Sequence, residues 1–372
     1  MKIAMIGHKR IPSREGGVEQ VVETLAVRMA IAGHKVYAYN RRASHKAKRK
    51  SYKGVQLITV PTIEKKSLNA IIYAFFATVH ALFCHYDVIH FHAEGPCAFI
   101  WLPKLFGIRS VATIHGLDWQ RAKWGGFATR FLKYAEKTAA KYADEIIVLS
   151  PQVAEYFEKT YHRKTICIPN GVDAAQPMPP KVITQKYGLQ GQDYLLFLAR
   201  IVPEKGLHYL IEAYKRTDCP YKLVIAGGSS HTDDYYEQVR RSCEGDPNII
   251  MTGFVQGREL EELFSSCYLY ILPSDIEGMP ISLLEAMSYG AQCLVSDIPE
   301  NVNVTGEYAE VFSQGNVLSL ADKLTALTKP KHSFTHDSAE IAAYVTNKYR
   351  WDDVVEQTLQ LYGREHENTD CK

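Results

Sequence analysis

Thr165-Ile166-Cys167-Ile168-Pro169-Asn170-Gly171-Val172-Asp173, then Pro177, Pro179 and Pro180, then Tyr194-Leu195-Leu196-Phe197-Leu198, is the stretch on which the fold turns. A short apolar strand ends, a proline-rich segment without periodicity follows, and a second apolar strand begins. Such a segment reads as a linker. On its N-terminal side, apolar runs stand at Lys2–Ile6, Lys35–Tyr39, Val55–Val60, Val88–Phe91, Ser110–Ile114 and Glu145–Leu149, most of them separated by helical stretches. The first helix, Val18 to Ala32, places Val18, Val21, Val22, Leu25 and Met29 at helical spacing and ends at Gly33. On its C-terminal side the rhythm restarts. Strands are expected at Tyr194–Leu198, Lys222–Ala226, Ile249–Thr252, Leu269–Leu272 and Gln292–Ser296, with helices at Leu207–Lys215, Tyr235–Cys243 and Ser282–Tyr289. This alternation predicts an α/β protein of two doubly wound domains, each a mostly parallel sheet covered on both faces. The expected division is 1–172, a linker at 173–192, and 193–349, with a terminal helix at Trp351–Tyr362.

The 372 residues suffice for two domains at roughly 100–200 residues each. With 46% hydrophobic and 23% charged residues, disordered, collagenous and coiled-coil classes are excluded. None of the eight cysteines forms a C-x-x-C pair, which argues against a zinc or redox motif and suits a reducing compartment. The apolar run at Lys2–Gly7 is too short for a signal peptide, so a cytoplasmic location is expected, with no glycan on Asn303-Val304-Thr305. Leu68–Cys84, the most apolar stretch, contains Asn69, Tyr73, Thr78 and His80 and is short of the ~20 residues of a spanning helix. Charge is lopsided. Residues 1–175 carry 26 Lys and Arg against 13 Asp and Glu, while residues 176–372 carry 17 against 28. A polyanion or an anionic membrane beside the N-terminal half would explain that asymmetry. Its densest part is Arg41–Lys53, with Lys65 and Lys66 following; a solvated loop is the plainer alternative.

Four segments could carry chemistry. Ser274-Asp275-Ile276-Glu277-Gly278-Met279-Pro280 follows a buried strand and opens a helix containing Glu285. An anion could sit at that helix start, although Ser282 and Glu285 could equally form a capping box. Arg200 and Lys205 bracket the turn after Tyr194–Leu198. That is the place where open α/β sheets bind ligands, and two cations there suit a diphosphate. Gly16 and Gly17 precede the first helix and would let backbone amides approach a ligand. His115 ends a buried strand before Gly116-Leu117-Asp118-Trp119. His90 and His92 share a strand face, but no third metal ligand is evident.

Together these pieces resemble glycosyltransferase family 4, the retaining nucleotide-sugar transferases of GT-B fold. The match includes Gly16-Gly17-Val18-Glu19, His115-Gly116, Pro169-Asn170-Gly171-Val172-Asp173, Arg200 with Lys205, and the E-x7-E of Glu277 and Glu285. The family's E-G-F-G loop reads Glu277-Gly278-Met279-Pro280 here, and residues 115–124 are similar to a segment of bacterial surface-polysaccharide transferases. The resemblance implies two Rossmann-like domains facing a cleft, with the helix near 350–364 returning to the first. It implies that Glu285 holds the ribose, and that Arg200 and Lys205 hold the diphosphate. Glu277, Gly278 and Met279 would contact the donor sugar, with His115 near the reacting carbon, Gly16 and Gly17 lining the diphosphate, and Phe254 and Val255 beside the base. His92 and Asp118 are candidates on the acceptor side. No cofactor or metal is expected beyond the nucleotide-sugar substrate. The expected partners are a lipid-linked saccharide and an anionic inner membrane surface, not nucleic acid. A sugar-nucleotide epimerase of the same shape and a basic nucleic-acid-binding protein are the alternatives.

Overall fold

The computed structural model describes residues 1–42, 49–63, 68–120, 125–229, 233–330 and 332–363. It divides into two compact units, one of 1–170 with 351–372 and one of 171–350.

In unit 1 the elements run β1 (Lys2–Ile6), α1 (Gly17–Ile31), β2 (Lys35–Arg41), β3 (Ser51–Tyr52), β4 (Val55–Val60), α2 (Leu68–Leu82), β5 (Val88–His92), α3 (Trp101–Leu105), β6 (Arg109–Ile114), α4 (Gly126–Tyr142), β7 (Glu145–Val148), α5 (Pro151–Tyr161) and β8 (Ile166–Cys167). The sheet order is β3-β4-β2-β1-β5-β6-β7-β8, parallel except for the β3–β4 hairpin. The order reverses between β1 and β5. Crossovers from β4 through β8 advance one way, and right-handed connections put α2 to α5 on one face; β1 to β2 runs back and puts α1 on the other. Tyr73 and Ala77 of α2, Ala139 of α4 and Phe157 of α5 accordingly share one buried cluster with Ile6 and Phe91. The central strands are buried on both faces, so their sequences are nearly continuous apolar runs.

Unit 2 runs α6 (Val182–Tyr187), β9 (Tyr194–Leu198), α7 (Leu207–Lys215), β10 (Lys222–Ala226), α8 (Asp233–Cys243), β11 (Ile249–Gly253), α9 (Arg258–Ser266), β12 (Leu269–Leu272), α10 (Ile281–Ser288), β13 (Cys293–Ser296), α11 (Pro299–Thr305), β14 (Glu310–Phe312), α12 (Val317–Leu327) and α13 (Ser338–Lys348). Its parallel sheet has the order β11-β10-β9-β12-β13-β14, the doubly wound arrangement, reversing between β9 and β12. The last helix, α14 (Trp351–Gly363), packs against α1 of unit 1, where Arg28 pairs with Asp352 at 2.7 Å.

Some sequence expectations are corrected. The stretch 173–192 is not bare linker. It contains α6, whose first N–H groups, those of Lys181, Val182 and Ile183, donate to the buried Glu262 carboxylate at 2.8, 2.7 and 3.2 Å. The short strands β3 and β14 and the helices α11 to α13 complete what periodicity left blank. The capping box at Ser282 is absent: α10 starts at Ile281 with Pro280 as its cap and no side-chain cap bond, and Ser282 Oγ instead accepts from Tyr270 at 2.8 Å. Among the described residues no helix is long and apolar enough to cross a membrane. Within the basic stretch 41–53, residues 43–48 lie outside the described residues, as do Lys65 and Lys66. Arg41 closes β2 with its guanidinium 4.9 Å from the centre of the Tyr73 ring, so the fold itself occupies that cation.

Glu262 anchors the start of α6 within unit 2. Burial opposes its ionisation, yet the bonds from Arg258 and the three backbone amides outweigh that and hold its carboxyl at about 2. The stability it contributes is therefore present above about pH 4.5 and lost as pH falls toward 2. Glu262→Ala is expected to cost at least about 2 kcal/mol, because buried N–H groups lose their acceptor. Urea unfolding at pH 7 and pH 3 checks both the loss and its decrease in acid.

Candidate active site

In unit 1 the loops leaving β1, β5 and β6 meet at the strand-order reversal. Gly7 follows β1 at φ +133°, and a Cβ there would lie 2.0 Å from the carbonyl oxygen of His92, so only glycine fits. The loop from Gly7 to Gly16 is fastened to α1 and β2 by side chains. Glu19 accepts the Lys9 amide at 3.0 Å, Glu23 accepts that of Ser13 at 3.2 Å, and Asn40 accepts that of Ile11 at 2.9 Å. Gly16 caps α1 in an extended conformation; a side chain there would meet Glu19 Oε2 at 2.3 Å. Gly16 and Gly17 are thus pinned where the helix amides begin.

Behind this edge stands a column of histidines. His90 reaches the Tyr362 hydroxyl of α14 with Nδ1 at 2.6 Å and Thr113 Oγ1 with Nε2 at 2.7 Å. Its ring lies 4.0 Å from that of His92, and His92 Nδ1 lies 3.2 Å from His115 Nε2. His92 is fully buried, so the residue expected on the acceptor side presents no surface and meets the edge through His115. His8 sits beside them, its Nε2 3.1 Å from Asn40 Oδ1. Burial keeps the His8, His90 and His92 rings neutral. It lowers His8 to about 4 and, with the His115 charge, His90 to about 3; it also lowers His92, helped by His90 and His115. Beyond Gly116, Asp118 sits half-buried on a short turn. Trp119 donates through Nε1 at 3.1 Å to the buried Glu136, which also accepts from Tyr156 at 2.8 Å and from Tyr161 at 2.5 Å. Residues 121–124 of the same segment lie outside the described residues.

In unit 2 the reversal between β9 and β12 brings two separate motifs into contact. Lys205, on the turn after β9, pairs with Glu277, on the loop after β12, and Ser274 Oγ donates to Glu277 at 2.6 Å. Both charges are largely buried, 13% and 7% exposed. Gly206 permits the approach: at φ +65° its Cβ position lies 1.9 Å from the Pro273 carbonyl oxygen. Arg200 is half-buried on the same loop as Lys205. Gly278 is half-buried, Met279 buried, and Glu285 half-buried one turn into α10. At the end of β11, Val255 is buried while the Phe254 ring is 52% exposed beside Gly228. Every candidate of unit 2 therefore lies at the carboxyl edge of its sheet.

Sequence reasoning missed the supporting residues. Tyr362, Thr113, Glu136, Ser274 and Asn40 look like ordinary polar residues in a string and acquire meaning only through contact. Glu204 is similar: it is buried, and neither carboxylate oxygen has a hydrogen-bond partner among the described residues.

The histidine column sets a pH dependence. Folded His8, His90 and His92 stay neutral below the ordinary histidine value of about 6.5, whereas the unfolded chain takes up protons there. Their stability is complete above about pH 6.5 and falls by roughly 1.4 kcal/mol per pH unit for each as acid is added. Between about pH 6.5 and about pH 5, above the carboxylate range, unfolding free energy is expected to drop. His90→Gln should make that slope shallower by about one proton, and an unchanged slope in urea titrations would place the acid sensitivity elsewhere.

Residues 15–176 match the family described as Glycosyltransferase Family 4, and residues 181–343 match Glycosyl transferases group 1. Alpha-maltose-1-phosphate synthase of Mycolicibacterium smegmatis is 25% identical over 288 residues, 70% of this chain and 74% of that protein. O-antigen chain mannosyltransferase B of Escherichia coli is 26% identical over 189 residues, 48% of each chain. Among solved structures, Anabaena HepE in complex with UDP and glucose superposes with a TM-score of 0.78 at 17% identity, covering 97% of this chain and 98% of that one. Two sequence matches that between them take in both units, laid on two doubly wound sheets, make this chain a nucleotide-sugar-dependent glycosyltransferase of the group 1 family, with the GT-B fold.

Proposed function

We propose that the protein moves a hexosyl or deoxyhexosyl group from a nucleoside diphosphate sugar to a saccharide on a lipid carrier, with retention at the anomeric carbon, in bacterial polysaccharide or glycan assembly. The observation that carries this reading is the buried Lys205–Glu277 pair across the strand-order reversal of unit 2, with Arg200 on the same loop. A cation held there, on the loop that meets the one leading into α10, is placed for the diphosphate of a donor. Glu277 and the Gly278–Met279 backbone then contact the sugar, Glu285 accepts the ribose hydroxyls, and Phe254 offers an exposed ring to the base. On unit 1, Gly16, Gly17 and His115 serve the diphosphate and the reacting carbon, and Asp118 the acceptor. HepE, solved with UDP, supports a uridine donor, and the O-antigen mannosyltransferase supports a surface-glycan acceptor.

The chemistry follows from charge. As the glycosidic bond breaks, the sugar gains oxocarbenium character and the diphosphate gains negative charge. Preorganised cations and amides aimed at that charge stabilise the transition state more than the ground state. Arg200, Lys205 and the helix amides supply this without a metal. Attack from the face the diphosphate leaves would retain configuration, the departing phosphate oxygen taking the acceptor's proton.

Three outcomes test the reading. Glu285→Gln should weaken UDP binding by about 1.5–3 kcal/mol in calorimetry, the value of hydrogen bonds to a charged group; unchanged affinity in a folded variant removes the ribose role. Arg200→Ala and Lys205→Ala should lower turnover far more than substrate binding, with activity surviving EDTA. NMR of the product should show the donor's anomeric configuration, and inversion would overturn the proposed mechanism.

A further inference from the structure

We infer that the α2–α3–α4 face of unit 1 is a docking surface for an anionic lipid leaflet. The three helices lie on one side of the sheet, with the turn Gly95–Phe99 packed between α2 and α4. On α2 the exposed large apolar residues are Leu68, Phe75 and Phe76, at spacings that keep them on one stripe, and Phe83 continues that stripe just past the helix end. Leu105 and Phe106 stand at the end of α3, and Phe127 and Tyr134 on α4. Phe83, Leu105 and Phe127 are each 72% exposed. So many large apolar side chains on neighbouring helices of one face exceed the scattered exposure normal for a protein surface.

Charge identifies the occupant. The exposed side of α4 carries Arg130, Lys137 and Lys141, interleaved with Phe127 and Tyr134 at helical spacing, while Lys133 lies 4.3 Å from the centre of the Trp119 ring. The single acid of α4, Glu136, is buried and engaged by Trp119, Tyr156 and Tyr161, and α2 and α3 contain no acid. Lys104 of α3 pairs with Asp144 and is left out of the count. The other helices of unit 1 differ: α5 exposes Glu155 and Glu158, and α14 exposes Asp352 and Glu356. Exposed cations on α4 beside exposed apolar side chains on α2, α3 and α4 match an interface of lipid headgroups over acyl chains, where rings enter the boundary and cations meet phosphates. It does not match a nucleic acid, for which rows of exposed phenylalanines on neutral α2 have no use. The inference rests on none of the roles proposed for the donor site, and the stretch 41–53 is the competing contact in its test.

Cosedimentation with vesicles of phosphatidylcholine and phosphatidylglycerol, at low and high salt, tests it. The full chain should bind these vesicles, bind pure phosphatidylcholine much less, and lose binding as salt screens the cations. Arg130→Gln/Lys137→Gln/Lys141→Gln should bind on the order of 100-fold more weakly, each cation near an anionic leaflet being worth about five-fold. Phe83→Ser/Leu105→Ser/Phe106→Ser should weaken binding further at high salt, where only apolar insertion remains. Both variants should keep the wild-type melting temperature and the wild-type shift on adding UDP, which separates failure of docking from failure of the donor site. A chain that ignores anionic vesicles, or variants that bind them as well as wild type, would overturn the assignment. So would loss of binding only in Arg42→Gln/Arg49→Gln/Lys50→Gln/Lys53→Gln, which would return the contact to that segment.

Discussion

In each unit a glycine is pressed against a backbone carbonyl from the strand on the other side of the strand-order reversal, and the candidate site depends on that close approach. Gly7 meets His92 between β1 and β5; Gly206 meets Pro273 between β9 and β12. Both have positive φ, and in both a Cβ would overlap the carbonyl oxygen. Without that contact the loops leaving the two strands would stand apart, and their side chains could not converge. In unit 2 the convergence produces the Lys205–Glu277 pair. A buried ion pair adds little net stability, because desolvation offsets the attraction. Its consequence is positional: it fixes the loop after β9 against the loop that leads into α10.

Unit 1 solves the same problem with neutral groups. His115 is reached through His92 and His90 from Tyr362 on the last helix, so residues widely separated in sequence are needed to seat one ring. Burial favours the uncharged imidazoles of His90 and His92; His90 is bonded through both ring nitrogens and His92 through Nδ1. The contrast between the units is chemical. A charged pair suits the diphosphate proposed for unit 2, whereas buried neutral imidazoles behind His115 suit the sugar contact proposed for unit 1.

The fold was legible because parallel strands buried on both faces read as apolar runs. Most of the expected strands recur within a residue or two. What was not legible has definite causes. α6 hides among prolines because its amides are satisfied by Glu262, about eighty residues away. β3 and β14 are too short to show a period. Ser282 looks like a helix cap because local spacing allows it, but tertiary contact with Tyr270 claims its hydroxyl. The site residues at strand ends could be named from the string, since position after a buried strand is a local property. Their supports, Tyr362, Thr113, Glu136 and Ser274, are set by topology and carry no local signal.

Charge asymmetry is the case where sequence was informative about sign and silent about place. The excess of cations in the first half draws the eye to Arg41–Lys53, where they are dense in sequence. Density along the chain is not density in space. Arg41 is stacked on Tyr73, and β3 and β4 fold the end of that stretch back on the sheet. On α4 the cations are three and four residues apart, which in sequence looks dilute and on a helix makes one stripe. The acid that would have neutralised the stripe, Glu136, is turned inward to hold the loop that follows His115. The same side chain that steadies the candidate site thus leaves the outer face of α4 without an acid, so the basic face and the fixed loop arise from one buried carboxylate.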